Sequence, residues 1–562
     1  MRSLRSPWRA SFRALLACAG AGLVSGLSSL SATPAPDDPP VGWWREATFY
    51  EIFVRSFADA RTGPLAGDGI GDLQGAIERL DHLNDGRGAA GTSLGVNAVW
   101  LMPIHPSPSY HGYDVTDYFA VNPQYGDIAL MKRFVAEAHR RGIRVIIDFV
   151  LNHSSSAHPW FVAALADGTL PGGQKARELF RFAPLPEQLA GPWGQWVWYP
   201  AGRDFYYAVF SPDMPDWNFR HPAVTAHHRR AAAFWLRDVG VDGLRLDAVR
   251  YFCETGDALQ DTEETRQWLR EFTAYCHQVK PDAFVIGENT ADMREVTRNL
   301  RGGSLDSAFE FDLAKATIQA VRLETPGILQ QALTQLGQLY GNDAPWATIL
   351  TNHDQERAIT QLGGDLARTR LATAVLFTLP GVPFVYYGEE LGLRGAKPDP
   401  ELRTPMPWTP ESPHAGFTPA GVAPWHPLTA AIATENVATQ EADPHSMLAL
   451  YRRLVRLNAN SPALRHGQPV AVTGNDRSVY ATLRQTPAEV VLVIANFTAR
   501  PRPGPQLSAV VSCIQVGWTA TELLQGAAVA AVQTNAQGGF AQYAPLAELA
   551  PLTLYVVRWR AP

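Results

Sequence analysis

Residues 242–249 read DGLRLDAV. Gly243, Leu244, Leu246, Ala248 and Val249 are small or apolar, and an uninterrupted run of that kind suits a parallel strand covered on both faces. Arg245 and Asp247 break the run. Standing two apart, they project from the same side of a strand, and burying opposite charges there costs several kcal/mol per ion unless they pair well. Such a pair is tolerable where the end of the strand opens on the rim of a pocket.

Seven other runs have the same strand-like character: ATFYEIFV (47–54), NAVWLMPI (97–104), RVIIDFVLNH (144–153), AFVIGE (283–288), SAFEFDL (307–313), ATILTNHD (347–354) and PFVYYGEE (383–390). With 242–249 they make eight, the number that closes a barrel. Between the second and third, DIALMKRFVAEAHRRG (127–142) offers Asp127 as N-cap, apolar residues at Leu130, Met131, Phe134, Val135 and Ala138, and Gly142 as a stop. That is an amphipathic crossover helix, which parallel strands require. The expected fold class is α/β: a (β/α)8 TIM barrel with an inserted B domain after the third strand and a C-terminal antiparallel β-sandwich domain.

The boundaries follow from changes in pattern. Residues 1–35 read as a signal peptide and linker, with Arg2, Arg5, Arg9 and Arg13 ahead of an apolar stretch and a proline-rich tail. The barrel's first part is 36–152. Residues 153–216 are rich in Pro, Gly and Trp without a helical period, too long for a simple loop, and read as the inserted domain. The barrel resumes over 217–461, and 462–562 changes to short alternating runs such as VVLVIANF (490–497), the pattern of antiparallel β structure.

At 562 residues, 46% hydrophobic and 18% charged, the chain is a globular protein with room for a barrel plus accessory domains. A net charge of -6 provides no basic footprint for nucleic acid. Loss of residues 1–35 removes four Arg and no acid, leaving 44 basic against 54 acidic residues. The leader is too short to span a membrane, so the expected location is secreted or periplasmic, the protein a monomer. Cys253 and Cys276 are the nearer pair in sequence for a disulfide; two buried thiols are the other reading. Cys18 raises lipidation, but hardly any apolar residue precedes it.

Charged residues gather at the C-terminal ends of the strands: Asp148 and His153, Arg245 and Asp247, Glu288, His353 and Asp354. In a barrel those ends share one face, where active sites are built. Three carboxylates and an arginine suit glycoside chemistry, in which one acid attacks and a second, about 5 to 5.5 Å away, protonates the leaving oxygen. Arg245 is placed to favour an ionised Asp247, Glu288 ends an apolar run that would keep it protonated, and Asp354 could offset positive charge on the sugar.

These residues lie in four ordered segments, DFVLNH (148–153), GLRLDAV (243–249), GEN (287–289) and TNHD (351–354), supported by HGYDVTDY (111–118), HPWF (158–161), MPDWN (214–218) and GEE (388–390). In them the chain resembles the α-amylase superfamily, family 13 of the glycoside hydrolases, from about residue 44 to 454. It looks most like bacterial α-amylases of the group intermediate between oligo-1,6-glucosidases and neopullulanases. The resemblance implies Asp247 as nucleophile, Glu288 as acid/base and Asp354 as transition-state stabiliser. It implies Tyr113 stacking under the sugar, with Asp114, His153, Arg245 and His353 holding its hydroxyls or the nucleophile, and Arg403 as a further substrate contact. Ala248 resembles the residue of α-1,4-acting members, or is a small residue that fits the barrel wall.

Two departures concern calcium. Many α-amylases place a His ligand soon after the nucleophile, where this chain has Arg250 and Tyr251. DGIGD (68–72), with Asp59 upstream, resembles the calcium loop of related glucosidases, so Asp59, Asp68, Ile70 and Asp72 are the expected ligands of a structural Ca2+. The usual Asn is missing, RTGPLAG (61–67) is inserted, and a metal-free turn is the alternative. No organic cofactor is expected. The leading function is an exported endo-acting α-amylase on α-glucan or malto-oligosaccharide. An exo-α-glucosidase or glucosyl transferase is the rival within the family, and a non-catalytic binding subunit the rival outside it.

Overall fold

The structure, a computed structural model, describes residues 42–561 apart from 189 and 342, so the expected signal peptide, its linker and Cys18 lie outside the described residues. Eight parallel strands form the central sheet: β1 (Phe49–Ile52), β2 (Ala98–Leu101), β3 (Arg144–Phe149), β4 (Gly243–Leu246), β5 (Phe284–Gly287), β6 (Ser307–Ala308), β7 (Ala347–Thr348) and β8 (Val382–Tyr386). They pair in the order β7-β8-β1-β2-β3-β4-β5-β6, and a parallel bridge from Phe309 to Ala347 joins the two ends. The sheet is therefore a closed barrel.

Side-chain alternation sorts each strand into two faces. Phe49, Ala98, Trp100, Ile146, Phe284, Ile286, Phe309 and Phe384 fill the interior as one cluster, with Phe49 and Phe384 stacked at 4.2 Å. Val99, Leu101, Val145, Ile147, Leu244 and Leu246 face the other way, into the main core shared with the surrounding helices. The helix Ile128–Arg140 is one of these. Asp127 caps it by accepting from the Leu130 amide at 2.8 Å, and Met131, Phe134, Val135 and Ala138 are its buried stripe. Each such side chain contributes about 1.5 to 3 kcal/mol by leaving water.

The ladders are shorter than the apolar runs that announce them. After Leu246 the chain leaves the sheet, and Ala248 takes the left-handed φ of +51°. The residues beyond each ladder are the ones that reach the barrel's mouth. In the sixth run the strand stops at Ala308 and a helix, Phe311–Arg322, begins within the expected strand 307–313. Phe309 and Phe311 are both buried in the interior cluster, and a short apolar run does not distinguish a strand from a buried helix start.

Between β3 and β4, three short antiparallel strands, Phe182–Ala183, Trp198–Ala201 and Asp204–Tyr207, form a small sheet. Bridges from His153 to Asp216 and from Phe180 to Trp217 tie this segment to the barrel. It also holds a helix, Pro159–Leu165, which at seven residues is too short to show a helical period, and the His158 ring caps it.

At the C-terminus a five-stranded and a three-stranded antiparallel sheet face each other. The central strands are β9 (Val479–Gln485), β10 (Glu489–Asn496) and β11 (Thr553–Arg560). Val490, Leu492 and Ile494 of β10 meet Leu507, Ala509, Phe540 and Tyr543 of the other sheet. Val491, Val493 and Ala495, one residue out of step, join the main core of the barrel. The Cys253–Cys276 pairing is not made: both are free, buried thiols, and burial pushes the Cys253 thiol up to about 12. No helix among the described residues is long and apolar enough to cross a membrane.

Candidate active site

Arg245 is fully buried at the upper end of β4, its guanidinium 5.0 Å above the Trp100 ring. Strand register sets Asp148 of β3 directly beside it. Its Nη1 donates to Asp148 Oδ1 at 3.0 Å and to Asp247 Oδ1 at 2.6 Å, and Nη2 lies 3.2 Å from Glu288 Oε2. One cation thus gathers three carboxylates from three adjacent strands, and the two charges that interrupt β4 are partners. Removing Arg245 would leave these carboxylates without their shared cation and cost roughly 3 to 5 kcal/mol.

A second cation organises the opposite wall. His353 donates from Nδ1 to Glu51 at 2.5 Å and lies 3.1 Å from Asp354 through Nε2. Burial works against its protonation, but the flanking Asp354 and Glu51 carboxylates win and raise it to about 10. His353 Nε2 also meets the Tyr113 hydroxyl at 2.6 Å, and that hydroxyl donates to Asp148 Oδ2 at 3.0 Å. A continuous chain therefore runs from Glu51 through His353, Tyr113 and Asp148 to Arg245. Arg403 closes it, with Nε donating to the His353 carbonyl at 3.0 Å and Nη2 to Asp354 at 2.8 Å and Asp399 at 3.3 Å.

These groups surround a cavity of 290 Å³ lined by His111, Tyr113, His153, Phe210, Met214, Asp247, Glu288, Asp354, Asp399 and Arg403. Its carboxylates differ by environment. Burial, reinforced by Asp247 and Asp354 and opposed by Arg245, raises Glu288 to about 7. Burial raises Asp148 to about 7 as well, against the pull of Arg245. Asp354 goes the other way: burial opposes ionisation, yet His353 and Arg403 hold its carboxyl well below the usual range. Burial pushes His153 down to about 4, leaving a neutral ring whose nitrogens have no hydrogen-bond partner among the described residues. Acids held in opposite protonation states around one space are equipped for acid-base and nucleophilic work.

Of the residues expected from sequence, Asp247, Glu288, Asp354, Tyr113, His153 and Arg403 line the cavity, while Arg245 and His353 stand behind them. Asp114 does not line it. That carboxylate is buried and accepts from the hydroxyls of Ser107, at 2.5 Å, and Ser109, bracing the loop that carries Tyr113. Residues not singled out include Glu51, His111, Phe210, Met214 and Asp399. Glu51 carried the signal that betrayed Arg245, a charge inside an apolar strand. Phe210 and Met214 come from the inserted segment, where nothing local marks them.

The acidic side chains among the expected calcium ligands are hydrogen-bonded within the protein. Asp59 accepts from the amides of Gly67 at 2.8 Å and Gly69 at 3.0 Å and from the Thr418 hydroxyl. Asp72 caps the helix Leu73–Glu78 through Gly75 at 2.9 Å and accepts from the Ala60 amide at 2.9 Å. Asp68 accepts from its own loop, at the Ile70 amide. Among the described residues no three His, Cys, Asp or Glu side chains are placed to share a metal. Backbone amides satisfy the carboxylates that a cation was expected to bridge, so these side chains do not fit the assigned site.

The α-amylase catalytic-domain model matches residues 51–467. "Alpha-amylase 3" of Dictyoglomus thermophilum is 35% identical over 460 residues, covering 81% of this chain and 85% of that one. A trehalose synthase of Pimelobacter sp. is 30% identical, covering 85% and 90%. Among solved structures, the α-amylase from H. orenii superposes with a TM-score of 0.76 at 33% identity, covering 92% of this chain and 99% of that one.

Proposed function

The chain belongs to the α-amylase catalytic-domain family, and on that premise we propose that it is an exported, retaining hydrolase of internal α-1,4-glucosidic bonds in starch or maltodextrins. The observation that carries the reading is the single Arg245 guanidinium touching Asp247 and Glu288 where both face one cavity. Arg245 holds Oδ1 of Asp247, leaving Oδ2 to attack the anomeric carbon. Glu288, protonated up to about pH 7, gives its proton to the leaving oxygen as the C–O bond breaks. A glycosyl ester on Asp247 results. Glu288 then takes a proton from water, whose oxygen attacks the same carbon and releases Asp247.

Asp354, kept ionised by His353 and Arg403, faces the positive charge that develops on the ring. Tyr113 offers its ring as a floor, and the free nitrogens of His153 suit sugar hydroxyls. The arginine-led apolar segment at the N-terminus supports export. A second reading, exo-cleavage or glucosyl transfer, is favoured by Arg403 clamping Asp354 to Asp399 at the cavity wall and by the trehalose synthase likeness.

Timed digestion of soluble starch and of maltose separates them. Mixed oligosaccharides appearing early from starch support the endo reading, glucose alone supports exo-cleavage, and trehalose from maltose supports transfer. Turnover of neither substrate refutes the proposal.

A further inference from the structure

Where strand β9 meets the base of the barrel, its face breaks the local pattern. Val479, Ala481 and Leu483 turn into the terminal sandwich. Tyr480, Thr482 and Arg484 alternate with them and so project from the opposite face. In register beside these three on β10 stand Ala495, Val493 and Val491, all in the main core. Hydrocarbon is the rule on that face, and two hydroxyls and a guanidinium are the exception.

The three polar residues line a cavity of 400 Å³. Trp346 and Gly381, which directly precede β7 and β8, also line it, so it lies at the end of the barrel opposite Asp247, Glu288 and Asp354, which follow their strands. Leu336 and Val382 add an apolar wall. A cavity of several hundred cubic ångströms, mostly apolar with a few converging polar groups, has the form of a small-molecule site.

Arg484 is the group there without a charged partner. At 5% exposure, it donates from Nε to the Gly467 carbonyl at 3.4 Å, from Nη1 to Leu379 at 3.3 Å and from Nη2 to Arg465 at 3.3 Å. These carbonyls close the C-terminal ends of the helices Pro462–His466 and Leu366–Thr378. The contacts are long for N–H···O bonds, and they use three of the five N–H of a guanidinium. Other basic residues of the lining have acidic partners: Arg45 pairs with Asp343, and Arg465 and His466 with Glu46. No carboxylate among the described residues pairs with Arg484, and burial pushes its guanidinium down to about 10. Helix ends favour a nearby cation only modestly, whereas burying one without a counter-ion is expensive.

The two unused N–H, one on each terminal nitrogen, offer the fork that a carboxylate fits. One uncompensated cation matches one negative charge, which a carboxylate carries and a phosphate group, at close to two, exceeds. We infer that this cavity binds a small organic monocarboxylate, with its charge on Arg484 and its apolar body against Leu336, Trp346 and Val382. The site stands apart from the glucan chemistry and does not depend on that reading.

Calorimetric titration of the full-length protein at pH 7 tests it, with benzoate, its neutral isostere benzamide and inorganic phosphate as probes. Benzoate is expected to saturate one site per chain and to bind at least about tenfold more tightly than benzamide. Arg484→Gln is expected to abolish that preference. Leu333→Trp, at a half-buried helix position in the cavity wall, fills the space with Arg484 left in place and should weaken benzoate at least about tenfold. Absence of saturable benzoate binding, equal affinity for benzamide, a preference retained in Arg484→Gln, or benzoate binding unchanged in Leu333→Trp overturns the assignment. Phosphate that competes as well as benzoate overturns the choice of a monocarboxylate. If unfolding curves show that Arg484→Gln does not fold, the benzamide comparison and Leu333→Trp decide the matter.

Discussion

Replacing Glu288 by glutamine should separate what this side chain does for the fold from what it does for turnover. Its carboxyl titrates at about 7 rather than 4.5 because burial and the neighbouring Asp247 and Asp354 outweigh Arg245. Below pH 4.5 the folded and unfolded chains both hold that proton, so titration contributes nothing. Between 4.5 and about 7 the folded chain keeps a proton that the unfolded chain has lost, and stability falls as pH rises. At about 1.4 kcal/mol per unit, the loss reaches up to about 3 kcal/mol near pH 7 and then levels off. Glutamine does not titrate. Denaturant unfolding from pH 4 to 9 should therefore show Glu288→Gln gaining up to about 3 kcal/mol on wild type, all of it before pH 7, while losing at least about a hundredfold in kcat. The wild-type rate should decline tenfold per unit above pH 7. A stability difference that stays constant with pH refutes the placement of Glu288 as a buried, protonated acid.

Asp247→Ala should abolish turnover of starch and of α-maltosyl fluoride alike while the chain remains folded by circular dichroism; residual activity above about one part in a thousand counts against attack by this carboxylate. Chelation with EDTA should leave the melting temperature unchanged, since Asp59 and Asp72 are already bonded to amides of their own loop; a fall of several degrees would show that a cation is bound after all. His227 is buried, and burial lowers it to about 3, so its neutral form stabilises the fold above pH 6.5 and that contribution is lost as pH falls towards 3. His227→Leu should gain about 2 kcal/mol on wild type between pH 6.5 and 5, read by denaturant unfolding at each pH.

The barrel was legible because its strands combine apolar runs with misplaced charges, and both features are local. Arg245 and Asp247 announced the mouth of the barrel two residues apart, and their partnership with Asp148 follows from strand register. Asp114 stays out of the cavity lining for a reason that spacing cannot reveal: the serines whose hydroxyls donate to it, Ser107 and Ser109, look like ordinary loop residues. The expected calcium loop is read from acid spacing alone, and that spacing is the same whether amides or an ion satisfy the carboxylates. Glu51, a charge inside the apolar run 47–54, carries the same local mark. Phe210 and Met214 carry no such mark, because their place at the cavity is set by the small sheet of the inserted segment and its bridges to the barrel.

Strand β10 is inaccessible on both sides, its even-numbered residues turned into the terminal sandwich and its odd-numbered ones into the helical shell around the barrel. The C-terminal portion is therefore no detachable appendage. A chain cut back to residue 467, where the catalytic-domain match stops, would strip the cover from the helices Leu366–Thr378 and Pro462–His466, which pack against β11 and β10, and present bare hydrocarbon to solvent. Trimming for crystallisation or fusion should aim at exposed surface loops, and the whole length from the first barrel strand to Arg560 should melt as a single cooperative body.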